Sequence, residues 1–159
     1  MYTLNSEPEV LKYTGDKPFA SVDEARAFLE SYDQYRKHGY GRWAVVVKDT
    51  NKFIGWCGLK NHDGKFVDIG FRLMRSEWNK GYAFEAAAST LAYGFNVLKL
   101  DEIIGRAAGA NKASIRILEK LGMDFIRIDS LHGIDNACIY HMSRDAFLKN
   151  KPYNQAGHL

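Results

Sequence analysis

Cysteine is nearly absent from this chain, with only Cys57 and Cys138 among 159 residues. Two cysteines make no disulfide framework, and each sits in an apolar, strand-like run where a buried small side chain is the expected role. No apolar stretch approaches membrane-spanning length, and Met1-Tyr2-Thr3-Leu4-Asn5 has no signal-peptide character. A cytoplasmic protein without a membrane partner is therefore expected. Neither sign of charge dominates. The net charge is +3, and no dense Lys/Arg run marks one face, so no nucleic-acid partner is expected. The five histidines show no metal-ligand spacing, and neither HExxH nor CxxC occurs, so no metal is expected. Repeats, linkers and low-complexity tracts are missing as well.

What is present fits one globular domain over residues 1–159, with 46% hydrophobic and 26% charged residues. The order of elements is mixed α/β. Residues 2–13 read as the tail of a helix broken around Pro8. Ser21-Val22-Asp23-Glu24 is a capping box opening a helix to about His38, with Ala25, Phe28, Leu29 and Tyr32 on its inner face and Gly39 as its stop. Trp43–Val47 and Phe53–Leu59 form an antiparallel hairpin across Asp49–Lys52. Val67, Ile69, Phe71 and Leu73 alternate with Asp68, Gly70 and Arg72, so the next strand offers an apolar face and a polar face. A helix follows over about 81–98, its apolar stripe formed by Phe84, Ala87, Ala88, Leu91, Phe95 and Leu98. Glu102–Ala107 is a strand, Lys112–Leu121 a helix, and Phe125–Leu131 with Ala137–Met142 a final hairpin. Lys149–Leu159 reads as a loosely held tail.

The most informative stretch is Trp78-Asn79-Lys80-Gly81-Tyr82-Ala83-Phe84-Glu85-Ala86, between the alternating strand and the long helix. A tight basic turn at a helix start leaves several backbone N–H groups unpaired, with the positive end of the helix dipole behind them. That is a ready phosphate site, to which Gly81 gives backbone access and Lys80 adds charge. The plainer alternative is that Gly81 only starts the helix. Gly70, inside a strand, marks either a close backbone approach or a twist of the sheet.

Asn111-Lys112-Ala113-Ser114 leads a helix that closes with Lys120-Leu121-Gly122-Met123. With Asp68-Ile69-Gly70-Phe71 and the Trp78–Ala86 run, this series resembles the GNAT superfamily of acetyl-CoA-dependent N-acetyltransferases. The nearest branch is the RimJ/RimL type, which acetylates ribosomal-protein N-termini. The resemblance spans roughly residues 1–145. It implies an α+β fold with a mixed, mostly antiparallel central sheet, splayed at the cofactor strand and flanked by helices. Family members carry a further strand before the equivalent of Met1, so either this sequence is truncated or that strand is absent. An uncovered sheet edge of that kind would invite a second copy and a homodimer.

The resemblance assigns roles by position. Acetyl-CoA is the implied co-substrate, its pyrophosphate held by Trp78, Asn79, Lys80, Gly81, Tyr82 and Ala83. Its pantetheine arm would run beside Phe71, Arg72 and Leu73 as if it were a further strand. Asn111 would contact that arm, although Asn at a helix start also reads as an N-cap, and both roles are compatible. Many GNAT enzymes use a tyrosine to protonate the departing thiolate; here that position is Leu118, and Ser114 is the implied donor. Asp129 and Asp68 are the candidate bases, ahead of Glu77, which reads as solvated, and His132, which reads as a surface turn residue. The acceptor is an amine: a protein N-terminus, a small amine, an aminoglycoside or an amino acid. Tyr32, Tyr40, Trp43 and Trp56 either line its cleft or belong to the core.

Two departures bear on cofactor affinity. Asn79 replaces a common glycine and puts a side chain at the phosphate site. Phe84 replaces the usual threonine, and losing one hydroxyl hydrogen bond costs about 1–2 kcal/mol. An acyl-CoA-binding regulatory domain without turnover is accordingly the second reading. A nucleotide-binding α/β domain is the third, but neither GxGxxG nor a Walker loop is present to support it.

Overall fold

The computed structural model describes residues 1–131 and 134–149. His132 and nearly all of the expected tail lie outside the described residues. Six strands form one sheet: β1 (Arg42–Val47), β2 (Lys52–Asn61), β3 (Val67–Leu73), β4 (Glu102–Ala108), β5 (Asp124–Leu131) and β6 (Ile134–Ser143). Their order is β1-β2-β3-β4-β6-β5. Every neighbouring pair is antiparallel except β3 with β4, which is parallel. The mixed, mostly antiparallel sheet that the sequence implies is therefore the observed one, with β1 and β5 as its edges.

Among the described residues six α-helices flank the sheet: α1 (Pro8–Leu11), α2 (Val22–Glu30), α3 (Gln34–His38), α4 (Tyr82–Asn96), α5 (Lys112–Lys120) and α6 (Arg144–Lys149). The core lies on one face of the sheet. There Ala87, Leu91 and Phe95 of α4 meet Leu59, Ile69 and Ile103, all 2% exposed or less. This is the stripe that the i, i+3/i+4 spacing of α4 calls for. Phe147 of α6 stacks on Phe95 at 4.9 Å between ring centroids. Each such side chain contributes roughly 1.5–3 kcal/mol by leaving water. No described helix is long and apolar enough to cross a membrane.

The opposite face departs from expectation. The predicted helix from Ser21 to His38 is two helices, α2 and α3, parted at residues 31–33. The cap itself is present, with Glu24 N–H donating to Ser21 Oγ at 3.1 Å. Ser31 Oγ donates to Phe28 C=O at 2.9 Å, a local bond that competes with helix continuation. Tyr32 then turns inward, and its Oη accepts from Arg42 N–H at 2.9 Å. Of the expected inner residues only Ala25 is buried; Phe28 and Leu29 are 45% and 52% exposed. Their face covers a cavity rather than a core. Tyr40 is core and Trp43 packs against it, whereas Tyr32 and Trp56 line cavities.

Candidate active site

The parallel join of β3 to β4 is short. It holds only Asp68 opposite Ile104 and Ile69 opposite Gly105, after which the strands part. Met74 N–H donates to Ile54 C=O of β2 at 2.8 Å. Alternation along the strand therefore turns the N–H and C=O of Leu73 and Phe71 away from β2, toward the gap. Leu73 C=O is occupied by the indole N–H of Trp78 at 2.9 Å. The N–H of Phe71 faces the opening. Gly70, Phe71 and Arg72 on one side, and Arg106 to Ala108 with Asn111 and Ser114 on the other, wall a cleft of about 690 Å³.

At the closed end of this gap sits Asp68, 3% exposed. Its carboxylate accepts from Arg42 Nη2 at 2.7 Å and from Arg106 Nη2 at 2.5 Å. His62 Nε2 lies 3.3 Å from Asp68 Oδ1. Burial alone would raise the carboxyl pKa, but the Arg42 charge, the His62 contact and Arg106 outweigh it and hold Asp68 well below the usual carboxylate range. A carboxylate so held is a weak proton acceptor at neutral pH. Arg72, named for its backbone, turns its side chain to the same face, donating to Asn5 Oδ1 at 2.8 Å and Asp16 Oδ2 at 2.5 Å.

Beyond β3 the chain makes a 3₁₀ turn at Arg75–Glu77 and enters α4 through Gly81 at φ 88°. No side chain caps α4, so its first N–H groups are left for a ligand or water. Asn79 has φ 60°, the left-handed region that asparagine tolerates better than other non-glycine residues. The loop thus keeps a glycine-like path where glycine is absent. Tyr82 and Ala83 form the first turn of the helix.

Glu77 is not solvated as the sequence suggests. It is 5% exposed and accepts from Lys52 Nζ at 2.7 Å and Lys80 Nζ at 3.1 Å. These bonds, that of Lys52 first, pull its pKa down to about 2. The Lys80 ammonium is therefore shared with Glu77. A further cation reaches the first turn of α4, where Lys120 Nζ stands 4.4 Å from the centre of the Phe84 ring. Phe84 so replaces a hydroxyl with a platform for Lys120, which the sequence places in the closing motif of α5 without a role at the cofactor site.

Across the cleft, Asn111 caps α5, its Oδ1 accepting from Ser114 N–H at 3.1 Å. The cap presents Ser114 on the first turn with its side chain partly buried in the cleft wall. Leu118, one turn on, is 1% exposed and belongs to the core. A Cβ on Gly105 would meet Leu118 Cδ2 at 2.7 Å, so the absent tyrosine leaves no vacancy there.

Asp129 stands apart from this group. It lies on the edge strand β5, accepts from Arg127 Nε at 3.2 Å, and is opposite Ala137 of β6, which does line the cleft. The structure thus brings Asp68, Gly70–Arg72, Asn111 and Ser114 together, places Trp78–Ala83 at the far end of β3, and sets Asp129 one strand away from the cleft wall. Sequence reasoning missed Arg42, Arg106 and His62. The available signal was a charged residue, Arg106, inside the apolar run of β4. Cys57 is buried against Thr90, with 3.4 Å between Sγ and Oγ1, and burial pushes its thiol up to about 11. A thiol so buried is a poor nucleophile at neutral pH. No cluster of metal ligands occurs among the described residues.

A mixed sheet that opens between two parallel strands, with an uncapped helix beyond one and a hydroxyl-bearing helix beyond the other, defines an acetyltransferase architecture. The chain belongs to the GNAT acetyltransferase family, whose acetyltransferase (GNAT) domain profile matches residues 1–124. It is 34% identical over 119 residues to an uncharacterized N-acetyltransferase p20 of Bacillus licheniformis, covering 73% of this chain and 67% of that one. A GNAT-family acetyltransferase structure from Bacillus anthracis superposes with a TM-score of 0.74 at 27% identity, covering 91% of this chain and 87% of the other. Spermidine N-acetyltransferase from Vibrio cholerae, solved with CoA and spermine, shares the fold at TM-score 0.75 and 18% identity, covering 92% and 89%. The chain is an N-acetyltransferase by family.

Proposed function

We propose that this enzyme transfers acetyl from acetyl-CoA to a primary amine by direct attack in a ternary complex. The observation that carries the reading is the opening between β3 and β4, where pairing stops after two residue pairs and Phe71 N–H faces the gap. A pantetheine arm has the amide groups to pair with that edge, and the open N–H groups of α4 suit its pyrophosphate. Bound there, acetyl-CoA supplies an acetyl thioester; the amine nitrogen bonds to the acetyl carbon, the carbon–sulfur bond breaks, and sulfur leaves as thiolate.

The chain's own residues do the rest. Phe71 N–H donates to the thioester oxygen as it gains charge, a contribution of about 3 kcal/mol for a preorganised donor. Ser114, in the position used by the RimJ/RimL type, gives the thiolate its proton. Asp68 is held ionised and orients Arg42 and Arg106. Asp129 is the remaining carboxylate for the base role, acting through water across Ala137. An N-terminal-type amine of pKa about 8 needs only that modest help. The buried thiol of Cys57 argues against an acetyl-enzyme intermediate. Free thiols at Cys57 and Cys138 agree with a cytosolic location, and the edge strand β1 is where a second copy would pair.

Thiol release from acetyl-CoA, followed across a panel of primary amines, tests this reading. Thiol should appear only when an amine is present. Tight acetyl-CoA binding without turnover on any amine would favour the regulatory reading instead.

A further inference from the structure

The cleft has a charge balance that acetyl transfer alone does not require. Asp68 is shared by Arg42 and Arg106, whose side chains are 16% and 20% exposed, so this mostly buried trio carries one positive charge without a counter-ion among the described residues. Arg72 is matched separately by Asp16. A second cavity of about 560 Å³ adjoins the first beneath α2, sharing Arg42, Trp56, Arg72 and Arg106 with it. Among the described residues its wall sets Arg42, Lys60, Arg72 and Arg106 against two carboxylates, that of Asp16 and that of Asp68 behind the arginines.

The rest of this second wall is apolar: Phe28, Leu29, Phe53 and the rings of Tyr32 and Trp56. The Trp56 ring lies between two guanidiniums, 5.2 Å from Arg42 and 5.3 Å from Arg72. Its Nε1 is buried with no hydrogen-bond partner among the described residues. Each unmet group is a donor or a cation. A buried donor without an acceptor and a half-buried cation without a counter-ion are both costly. A ligand that supplied acceptor oxygens and negative charge would relieve both.

We propose that the acceptor is a small amine that also carries a carboxylate, of the hydrophobic α-amino acid class. Its carboxylate docks on Arg42 and Arg106, and its apolar body fills the cavity beneath α2. Guanidinium forks match carboxylate geometry. Arg106 follows Gly105, the last β4 residue paired with β3, so a carboxylate held there sets an α-amine at the mouth of the gap. A polyamine would instead bring further ammonium charge to a wall already in positive excess.

The proposal rests on the acetyl-transfer reading for the fate of the amine, so its test has two arms. In the first, thiol release is compared for phenylalanine, phenylalanine amide, phenethylamine and spermidine. The proposal expects kcat/KM for phenylalanine at least tenfold above the other three. Equal or faster turnover of the amide or of spermidine overturns it while leaving acetyl transfer standing. In the second, calorimetry measures phenylalanine binding to the full chain and to Arg106→Gln and Lys60→Gln variants. At least tenfold weakening is expected in Arg106→Gln and a smaller loss in Lys60→Gln, whose side chain lines the same cavity and makes no ion pair among the described residues. If no amine turns over, this arm decides alone, and absent or unchanged binding overturns the proposal.

Discussion

The guanidinium of Arg42 occupies the space that a side chain at Gly70 would need: a Cβ there would lie 2.5 Å from Arg42 Nη1. Gly70 therefore admits a side chain of the same sheet face, which is a reason for a mid-strand glycine distinct from twist. That same Nη1 donates to Gly58 C=O at 2.6 Å, while Nη2 reaches Asp68. Gly70→Ala should displace the guanidinium from Asp68 and cost about 1.5–3 kcal/mol, the worth of a hydrogen bond to a charged group. Urea unfolding at neutral pH measures this, and a change under 0.5 kcal/mol would mean that Arg42 relocates freely.

Asp68→Asn should cost more, about 3–5 kcal/mol, because it strands two guanidiniums around a neutral group. The sign with pH follows from the depressed carboxyl. Its stabilisation is complete above the ordinary aspartate range and is lost as pH falls through that range toward the lowered folded value. The wild type should lose stability on acidification below about pH 4. The variant, already lacking this contribution, should lose less. Urea midpoints at pH 7 and pH 3 test the difference.

Ser114→Ala should lower kcat by about 10- to 100-fold with little change in KM for acetyl-CoA. The deficit should shrink above about pH 8.5, where a thiolate leaves without a proton. A loss independent of pH would place Ser114 in binding or in α5 stability.

Cys57, with its thiol raised to about 11, should resist alkylation at pH 8 until the protein unfolds. Radiolabelled acetyl-CoA without amine should leave no label on the protein. Stoichiometric label would contradict direct transfer.

Much of the fold was legible because its signals are local. The alternation of β3, the Ser21–Glu24 cap and the Asn111–Ser114 cap depend on residues a few positions apart, and each forms as its pattern implies. The Asp68 cluster was not legible, since its partners lie 26 and 38 residues away and pair only once the sheet assembles. The amphipathic pattern of α2 was read correctly as a pattern but assigned to the wrong neighbour. Phe28 and Leu29 line a cavity wall, and periodicity alone does not tell a core from a cavity.

Acetyl transfer at this site depends on cofactor binding along the gap between β3 and β4. Titration calorimetry of acetyl-CoA into the protein, with ATP as competitor, tests it. Micromolar binding is expected that ATP does not displace and that weakens when a bulky Gly81→Trp side chain is placed at the start of α4. No binding at millimolar acetyl-CoA would contradict it.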